Sequence, residues 1–343
     1  MSSPGLSRLG RDAGRRLTEG RPAEAGVATV TGVGETLIRL APGGGEILES
    51  AYAYAVHVGG AESNVCVNLA QLGVPTAWIS RLPANPLGRR VAEAIRGFGV
   101  NLDGVIWAPE GRVGLMLVQP GAEPRAGEVI YYRRDSAFAD LDPNEVQWSL
   151  LDGSRVVHLT GITPALGERP LRLVERAIAE ARRRDIRISF DVNHRMKLWS
   201  PAAARQTIEP LVRGLDIVFI NDRDARSLFD ARGEAEAMAS ALRERFRCDV
   251  LVLTLGAEGA LAVEDAGIVR HPAVPSQIVD RIGRGDAFAA GFLYGRLRGG
   301  TADGLRYGSA MAALKQTYPG DVCRTTLGEV EAVLRGEAGG FRR

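Results

Sequence analysis

Residues 280–292, DRIGRGDAFAAGF, combine the residue types of an anion site with a candidate proton acceptor. Gly283 and Gly285 allow the backbone to turn tightly, with its N–H groups facing one way. The apolar run that follows predicts a helix, whose positive N-terminal end favours a transferring phosphoryl group. Asp286 would repel such a ligand, unless it takes the proton of a hydroxyl that attacks the phosphate. The alternative is a glycine turn in which Asp286 is an ordinary N-cap.

Arg284 places a cation between these two glycines. Its side chain could reach across the phosphates as an arginine finger, or point away and pair with a surface carboxylate. The middle residue of a tight turn at a helix start usually points outward, and a cation fixed beside Asp286 would lower the pKa of that base. The pattern therefore favours the outward position.

A second glycine pair lies in VGGAESNV, residues 58–65. Gly59 and Gly60 would let the backbone approach a sugar closely, and Asn64 offers a donor and an acceptor to hydroxyls. The alternative is a glycine turn with an Asn cap.

Composition and charge limit the function classes. The chain has 343 residues, is 45% apolar and carries a net charge of +2, so no global field attracts nucleic acid or anionic lipid. Three widely separated cysteines without a C-x-x-C pair argue against a metal knuckle or a disulfide scaffold. No apolar run approaches about 18 residues. The sequence therefore predicts a cytoplasmic protein that binds neither membrane nor nucleic acid.

Residues 1–26 contain five arginines among Ser, Gly, Pro and acids, which predicts a disordered extension. An arm that binds nucleic acid is the alternative. Three acidic residues dilute the charge of this segment, and it has no aromatic residue to stack on bases.

Strand and helix patterns alternate along the rest of the chain. From Arg155 onward, apolar strands such as RVVHLT, RISFDV, DIVFI and VLVLTL are separated by amphipathic helices. This rhythm predicts a mostly parallel, three-layer α/β sheet fold, with ligands beyond the carboxyl ends of the strands. Near-alternation in Ile47–Gly60 and Val113–Arg134 predicts antiparallel strands outside that sheet. The candidates that follow central strands are Gly161, Asn193, Asn221, Gly256 and Gly283.

Together, the two glycine segments resemble the signatures of the ribokinase-like (PfkB) carbohydrate kinases. The family's Asp-Thr-x-Gly-Ala-Gly-Asp-x-Phe stands here as DRIGRGDAF, with Arg281 and Arg284 in place of threonine and alanine. The family's Gly-Gly-x-x-x-Asn element matches Gly59, Gly60 and Asn64.

The resemblance implies a ribokinase-like three-layer α/β/α sandwich, with a mostly parallel central sheet and a small β-sheet lid. The kinase domain would span residues 27–338, with lid strands within residues 36–60 and 108–135. In this family the lid closes over the sugar and often pairs with the lid of a second subunit, which implies a homo-oligomer. A lid that excludes water also protects ATP from hydrolysis.

The resemblance also implies a nucleotide site. Asn221 matches the family's Asn-x-x-Glu element, which orders Mg²⁺ and phosphates through water, and Asp224 replaces the glutamate. ATP and Mg²⁺ are therefore expected, and dependence on a monovalent cation stays open. No Gly-Lys pair exists, which excludes a Walker A loop. The other implied nucleotide contacts are Asn193, Thr254, Gly256, Gly259, Gly283 and Gly285.

The sugar pocket is predicted to contain arginines. On a strand, Tyr131 and Arg133 point to the same face, and Arg195 follows another strand. Arginine forks suit a carboxylate, and both segments resemble the 2-keto-3-deoxygluconate kinases. The segment HLTGIT also resembles that subgroup, which implies that Ile162 lines the sugar pocket. Asp135 departs from the subgroup and could weaken a carboxylate site, so an uncharged sugar remains an alternative.

The predicted function is an ATP-dependent kinase that phosphorylates a primary hydroxyl of a small sugar, with 2-keto-3-deoxygluconate as the first candidate. Asp286 would accept the proton of that hydroxyl, and the N–H groups of residues 283–286 would stabilise charge on the phosphoryl group. The alternatives are a kinase for ribose, fructose or a nucleoside, and a non-catalytic sugar- or nucleotide-binding regulator on the same fold.

Overall fold

The computed structural model describes residues 27–43, 46–121 and 124–337, so the predicted disordered extension of residues 1–26 lies outside the described residues. The strands are β1 (Val30–Val33), β2 (Leu37–Pro42), β3 (Tyr54–Gly59), β4 (Thr76–Pro83), β5 (Val105–Ala108), β6 (Leu115–Gln119), β7 (Glu128–Tyr132), β8 (Val156–Thr160), β9 (Arg187–Asp191), β10 (Ile217–Asn221), β11 (Val250–Thr254), β12 (Ala260–Glu264) and β13 (Gly267–His271). The α-helices are α1 (Ala61–Gln71), α2 (Pro86–Arg96), α3 (Glu168–Arg183), α4 (Pro201–Val212), α5 (Asp222–Phe229), α6 (Ala235–Phe246), α7 (Arg284–Arg298), α8 (Thr301–Lys315) and α9 (Leu327–Leu334).

Within the described residues, the central sheet has nine strands in the order β13-β12-β11-β10-β9-β8-β1-β4-β5. Strands β4, β5, β1, β8, β9, β10 and β11 pair in parallel, and β12 and β13 add an antiparallel edge. The register places Thr160 opposite Asp191, and Asn221 opposite Thr254. Four strands therefore end in polar residues at one edge of the sheet, which is where the sequence predicted ligands.

Successive side chains on the strands point into two apolar layers on opposite faces of the sheet. On β10, Val218 and Ile220 belong to one buried cluster, whereas Ile217 and Phe219 belong to another. The first cluster contains side chains of α3 to α6, and the second contains those of α1, α7, α8 and α9. The predicted three-layer α/β/α sandwich is therefore confirmed.

A separate four-stranded sheet, the lid, has the order β3-β2-β6-β7. The expectation of antiparallel pairing holds for β2 with β3 and for β6 with β7, but it is wrong for β2 with β6, which pair in parallel. Ile47–Gly60 contributes one strand to the described structure, and the partner of that strand comes from residues 37–42. Alternation identifies a strand, whereas its partner depends on which distant segments meet.

None of the helices in the described part of the chain is both long enough and apolar enough to cross a bilayer.

Candidate active site

Helix α7 begins directly after Gly283, which is its N-cap and has a φ of +80°. A Cβ atom at position 283 would lie 1.8 Å from the carbonyl oxygen of Asp321, so only glycine fits. A Cβ atom at position 285 would meet no heavy atom within 4 Å, so the loop is open beside Gly285. The N–H group of Arg284 donates to the carbonyl oxygen of Arg281 at 3.3 Å. Since first-turn N–H groups have no partner within a helix, the start of α7 still offers donors to an anion here. Asp286 is the third residue of α7, so the alternative that it is the N-cap is wrong.

Asp286 is buried and accepts a hydrogen bond from Asn64, whose Nδ2 atom lies 2.6 Å from Asp286 Oδ2. Asn64 Oδ1 in turn accepts from the N–H group of Gly60 at 3.3 Å, which orients the amide. Burial raises the pKa of Asp286 to about 6, although the hydrogen bond from Asn64 and the charge of Arg195 oppose this rise. The two glycine segments thus meet at one carboxylate, whose basicity suits proton transfer near neutral pH.

Gly59 and Gly60 are both explained by close contacts within the protein. A Cβ atom at position 59 would lie 2.4 Å from the Cβ atom of Asp321. A Cβ atom at position 60 would lie 2.0 Å from the main-chain oxygen of Glu35. These glycines therefore allow the start of α1 to pack against neighbouring segments, which the sequence reasoning did not anticipate.

Two further carboxyl groups act on the same site, those of the buried Glu62 and the partly buried Asp191, and sequence reasoning missed both. Thr160 and Thr163 donate to Glu62 Oε1 at 2.8 and 2.7 Å, and burial raises the pKa of Glu62 to about 7. Burial, followed by the charge of Asp286, raises the pKa of Asp191 to about 8. Burial therefore favours the protonated form of both carboxyl groups. Their positions, inside VGGAESNV and at the end of β9, were the available signals.

On the neighbouring strand, Asn221 caps α5. Asn221 Oδ1 accepts from the N–H group of Asp224 at 2.8 Å, and Asn221 Nδ2 donates to Asp224 Oδ2 at 2.7 Å. The N–H group of His194 donates to the same oxygen at 3.1 Å. Within the described residues, no group of three or more His, Cys, Asp or Glu side chains could hold a metal ion. The side chains of Asn221 and Asp224 therefore fit a Mg²⁺ ion that is held mainly by phosphate oxygens and water, with one or two protein carboxylates.

The other predicted nucleotide residues lie beyond the ends of β9 and β11. Thr254 ends β11, and Gly256 follows it with a φ of +63°. Gly259 has a φ of +101°, and a Cβ atom there would lie 2.2 Å from a backbone oxygen of β13. Asn193 has a φ of +42°, and its N–H group donates to Asp191 Oδ1 at 3.1 Å. All four therefore lie at the polar edge of the sheet.

Arg133 lies beside Tyr131, as the strand pattern predicted, with its guanidinium carbon 5.5 Å from the Tyr131 ring centroid. The guanidinium is already paired, because Arg133 Nε donates to Glu35 Oε2 at 2.9 Å and Nη2 donates to the same oxygen. Ser136 donates to the other oxygen of Glu35. Arg133 therefore joins the end of the lid to the segment after β1, through a carboxylate that the sequence reasoning missed.

Asp135 does not share the Arg133 cluster. Its side chain is 92% exposed and lies 3.8 Å from Arg112. The concern that Asp135 weakens a carboxylate site is therefore not supported by its position.

Arg195 lies close enough to Asp286 and Asp191 to lower the pKa of each. Arg195 Nη1 donates to the carbonyl oxygen of His194 at 3.2 Å, and in the described chain the side chain forms no ion pair. Ile162 follows β8 and is 9% exposed. Of the two arginines predicted for the sugar pocket, Arg195 is thus the one without a carboxylate partner.

Arg284 is the first residue of α7 and is partly exposed. Among the residues that the structure describes it has no ion pair, so the expected surface carboxylate partner is not found. The charges with the largest effects on the pKa of Asp286 come from Arg195, Asp321 and Lys315. The outward orientation of the Arg284 side chain stays a prediction.

The family model described as pfkB family carbohydrate kinase matches residues 29–325 of this chain. A 2-dehydro-3-deoxygalactonokinase from Haloferax volcanii is 39% identical over 311 residues, which cover 90% of this chain and 98% of that protein. A 2-dehydro-3-deoxygluconokinase from Thermoproteus tenax is 35% identical over 283 residues, which cover 81% and 85% of the two chains.

Among solved structures, the 2-dehydro-3-deoxygluconokinase from Thermotoga maritima superposes with a TM-score of 0.83. The two sequences are 29% identical, and the match covers 90% of this chain and all of the other.

Proposed function

Because the chain belongs to the pfkB family of carbohydrate kinases, we propose that it transfers a phosphoryl group from ATP to the primary hydroxyl of a 2-keto-3-deoxy sugar acid. 2-Keto-3-deoxygluconate is the first candidate. The observation that carries the proposal is the Asn64–Asp286 pair at the N-terminal turn of α7. The names of the two sequence relatives support the substrate class.

Asp286 accepts the proton of the primary hydroxyl as that oxygen attacks the phosphorus. Asn64 holds the carboxylate in one orientation through its 2.6 Å hydrogen bond. The N–H groups of residues 283–286 donate to the transferring phosphoryl group and stabilise its charge. Mg²⁺, when bound, offsets the negative charge of the phosphate oxygens. The residues that would hold the nucleotide and Mg²⁺ are Asn193, Asn221, Asp224, Thr254, Gly256 and Gly259.

The sugar would lie between the sheet edge and the lid, near Gly59, Gly60 and Ile162. Arg195 is the cation available for its carboxylate, because Arg133 is bound to Glu35. Tyr131 and Arg133 then form part of the pocket wall.

The lid also supports a proposed homo-oligomer. Tyr52, Tyr54, Val56 and Tyr132 are apolar residues in or next to β3 and β7, and all are exposed. Contact between two lids would remove this surface from water. A cytoplasmic location, dependence on a monovalent cation, and the division into residues 1–26 and a kinase domain of residues 27–338 stay predictions.

A coupled assay of ADP release over a panel of sugars tests the proposal. The panel contains 2-keto-3-deoxygluconate and its galactonate epimer, with ribose, fructose and a nucleoside as neutral comparisons. We expect kcat/KM to be highest for one of the acids. Preference for a neutral sugar would contradict the substrate class, and turnover of none would favour a regulator.

A further inference from the structure

Lys315 is a buried ammonium that the proposed mechanism does not use. It is one of two lysines in a chain whose Lys and Arg total 43, it ends α8, and its residue exposure is 0%. A buried ammonium is costly unless neighbouring groups compensate for its lost hydration. Lys315 therefore requires an explanation from its surroundings.

Those surroundings are the start of the loop of residues 280–283, which leads to α7. Lys315 Nζ lies 3.3 Å from the carbonyl oxygen of Asp280 and 5.5 Å from the ring centroid of Tyr318. The Asp280 carboxylate accepts from the N–H groups of Ile282 at 3.0 Å and Gly320 at 3.1 Å. The loop that leads to α7 thus rests on the segment that begins with Lys315.

A second cation from the lid completes this cluster. Arg39, on β2, lies 2.8 Å from the Asp280 carboxylate and 3.4 Å from that of Asp321. The carbonyl oxygen of Asp321 fills the space where a Cβ atom of Gly283 would lie. Two carboxylates, one ammonium and one guanidinium therefore support the loop directly before the anion site.

We propose that Lys315 is a positioning residue for phosphoryl transfer, which holds the Asp280 carbonyl and supplies fixed positive charge beside the Gly283–Asp286 loop. This inference rests on the proposed role of that loop. A charge held in place before the reaction stabilises developing negative charge without reorganisation during it.

The same ammonium acts on the proposed base. The charges of Lys315 and Arg195 lower the pKa of Asp286, whereas the Asp321 carboxylate raises it. Asn64 donates to Asp286, and the charges of Glu62 and Asp191 are coupled to that of Asp286. With those groups unchanged, removal of the Lys315 charge should raise the pKa of Asp286.

The test compares Lys315→Met, which removes charge and donor, with Lys315→Gln, which keeps a donor. Each is assayed with whichever panel sugar the wild type phosphorylates best. We expect kcat to fall at least about tenfold in both. KM for ATP should change less than kcat, and the acid limb of the kcat/KM profile should move to higher pH. Arg306→Met is the matched control, because Arg306 lies on the same helix and is exposed.

A lowered melting temperature with unchanged kcat and an unmoved acid limb would make Lys315 purely structural and overturn the proposal. Failure of both variants to fold would count against it in the same way. Absence of wild-type turnover on every sugar would instead contradict the proposed function, so the two failures are distinguishable.

Discussion

At the residue scale, the buried Asp286 carboxylate sets the expected pH dependence. The base must be ionised to accept a proton, and burial raises its pKa to about 6. We therefore expect kcat/KM for the sugar to fall as the pH decreases through about 6. At lower pH the fall should approach about tenfold for each pH unit. A pH profile at saturating ATP measures this limb. A fall in kcat/KM near the usual pKa of an exposed aspartate, about 4, would contradict the assignment of the buried Asp286 as the base.

Arg284 is expected to be a bystander. Its backbone N–H group donates to the carbonyl oxygen of Arg281 at 3.3 Å, and its side chain forms no ion pair among the described residues. Arg284→Ala should therefore change kcat by less than about tenfold, or about 1.4 kcal/mol. Steady-state kinetics check this value, and a loss of about a hundredfold or more would make Arg284 part of the catalytic machinery.

Residue types and spacing predicted Asp286 after its glycine turn and Asn64 as site residues, because each follows from a short motif, but they did not predict the hydrogen bond between the two. They did not predict Glu35, Glu62 or Lys315. The role of each of these residues depends on a partner that is distant in the sequence. The partners of Glu35 and Glu62 lie about a hundred positions away, and that of Lys315 lies thirty-five positions away.

At the scale of elements, the alternation of apolar strands and amphipathic helices was enough to predict the parallel sheet. The polar residues after β9, β10 and β11 then had to meet, because parallel strands end at one edge. The lid was less predictable, because β2 pairs with both β3 and β6 and only one of these pairs joins strands that follow each other in the chain.

The contrast between Arg195 and Arg133 gives a prediction at this scale. Arg195→Ala should raise KM for an acidic sugar about 10- to 100-fold, which corresponds to about 1.5–3 kcal/mol for a charge-assisted hydrogen bond. KM for ATP should hardly change.

Arg133→Ala should lower the melting temperature of the protein, because it leaves the buried Glu35 carboxylate without its cation.

Arg112→Ala is the control for both variants, because Arg112 is an exposed arginine between β5 of the central sheet and β6 of the lid in the chain. An unchanged sugar KM in Arg195→Ala would remove the proposed carboxylate contact. An unchanged melting temperature in Arg133→Ala would contradict the structural role of its ion pair.

At the scale of the whole molecule, two apolar layers cover the central sheet, and the lid packs against this body through two clusters. Leu37, Ala41, Met116 and Val118 form one cluster with Ile282, and Ile38 packs with residues of α1, α2 and β4 in the other. The sequence predicted this division because the lid segments interrupt the strand–helix rhythm. It could not show which lid residues stay exposed, since that depends on the lid's pairing.

The exposed lid surface predicts self-association. Val56→Asp would place a charge on the apolar lid surface and should shift the protein towards monomer, because burying an unpaired carboxylate is unfavourable. Light scattering across a concentration series measures the change. Ile268→Asp, on the far edge strand β13, is the control. A wild type that is monomeric throughout would contradict the proposed lid contact.

The role of Asp286 as proton acceptor is tested by measuring phosphoryl transfer by Asp286→Asn, together with the affinity of this variant for ATP. Removal of the proton acceptor should lower turnover of the sugar by about three orders of magnitude or more, while ATP binding and the melting temperature stay near those of the wild type. Asp135→Asn, the same change at an exposed site, should retain full activity. Turnover by Asp286→Asn within tenfold of the wild type would show that Asp286 is not the proton acceptor.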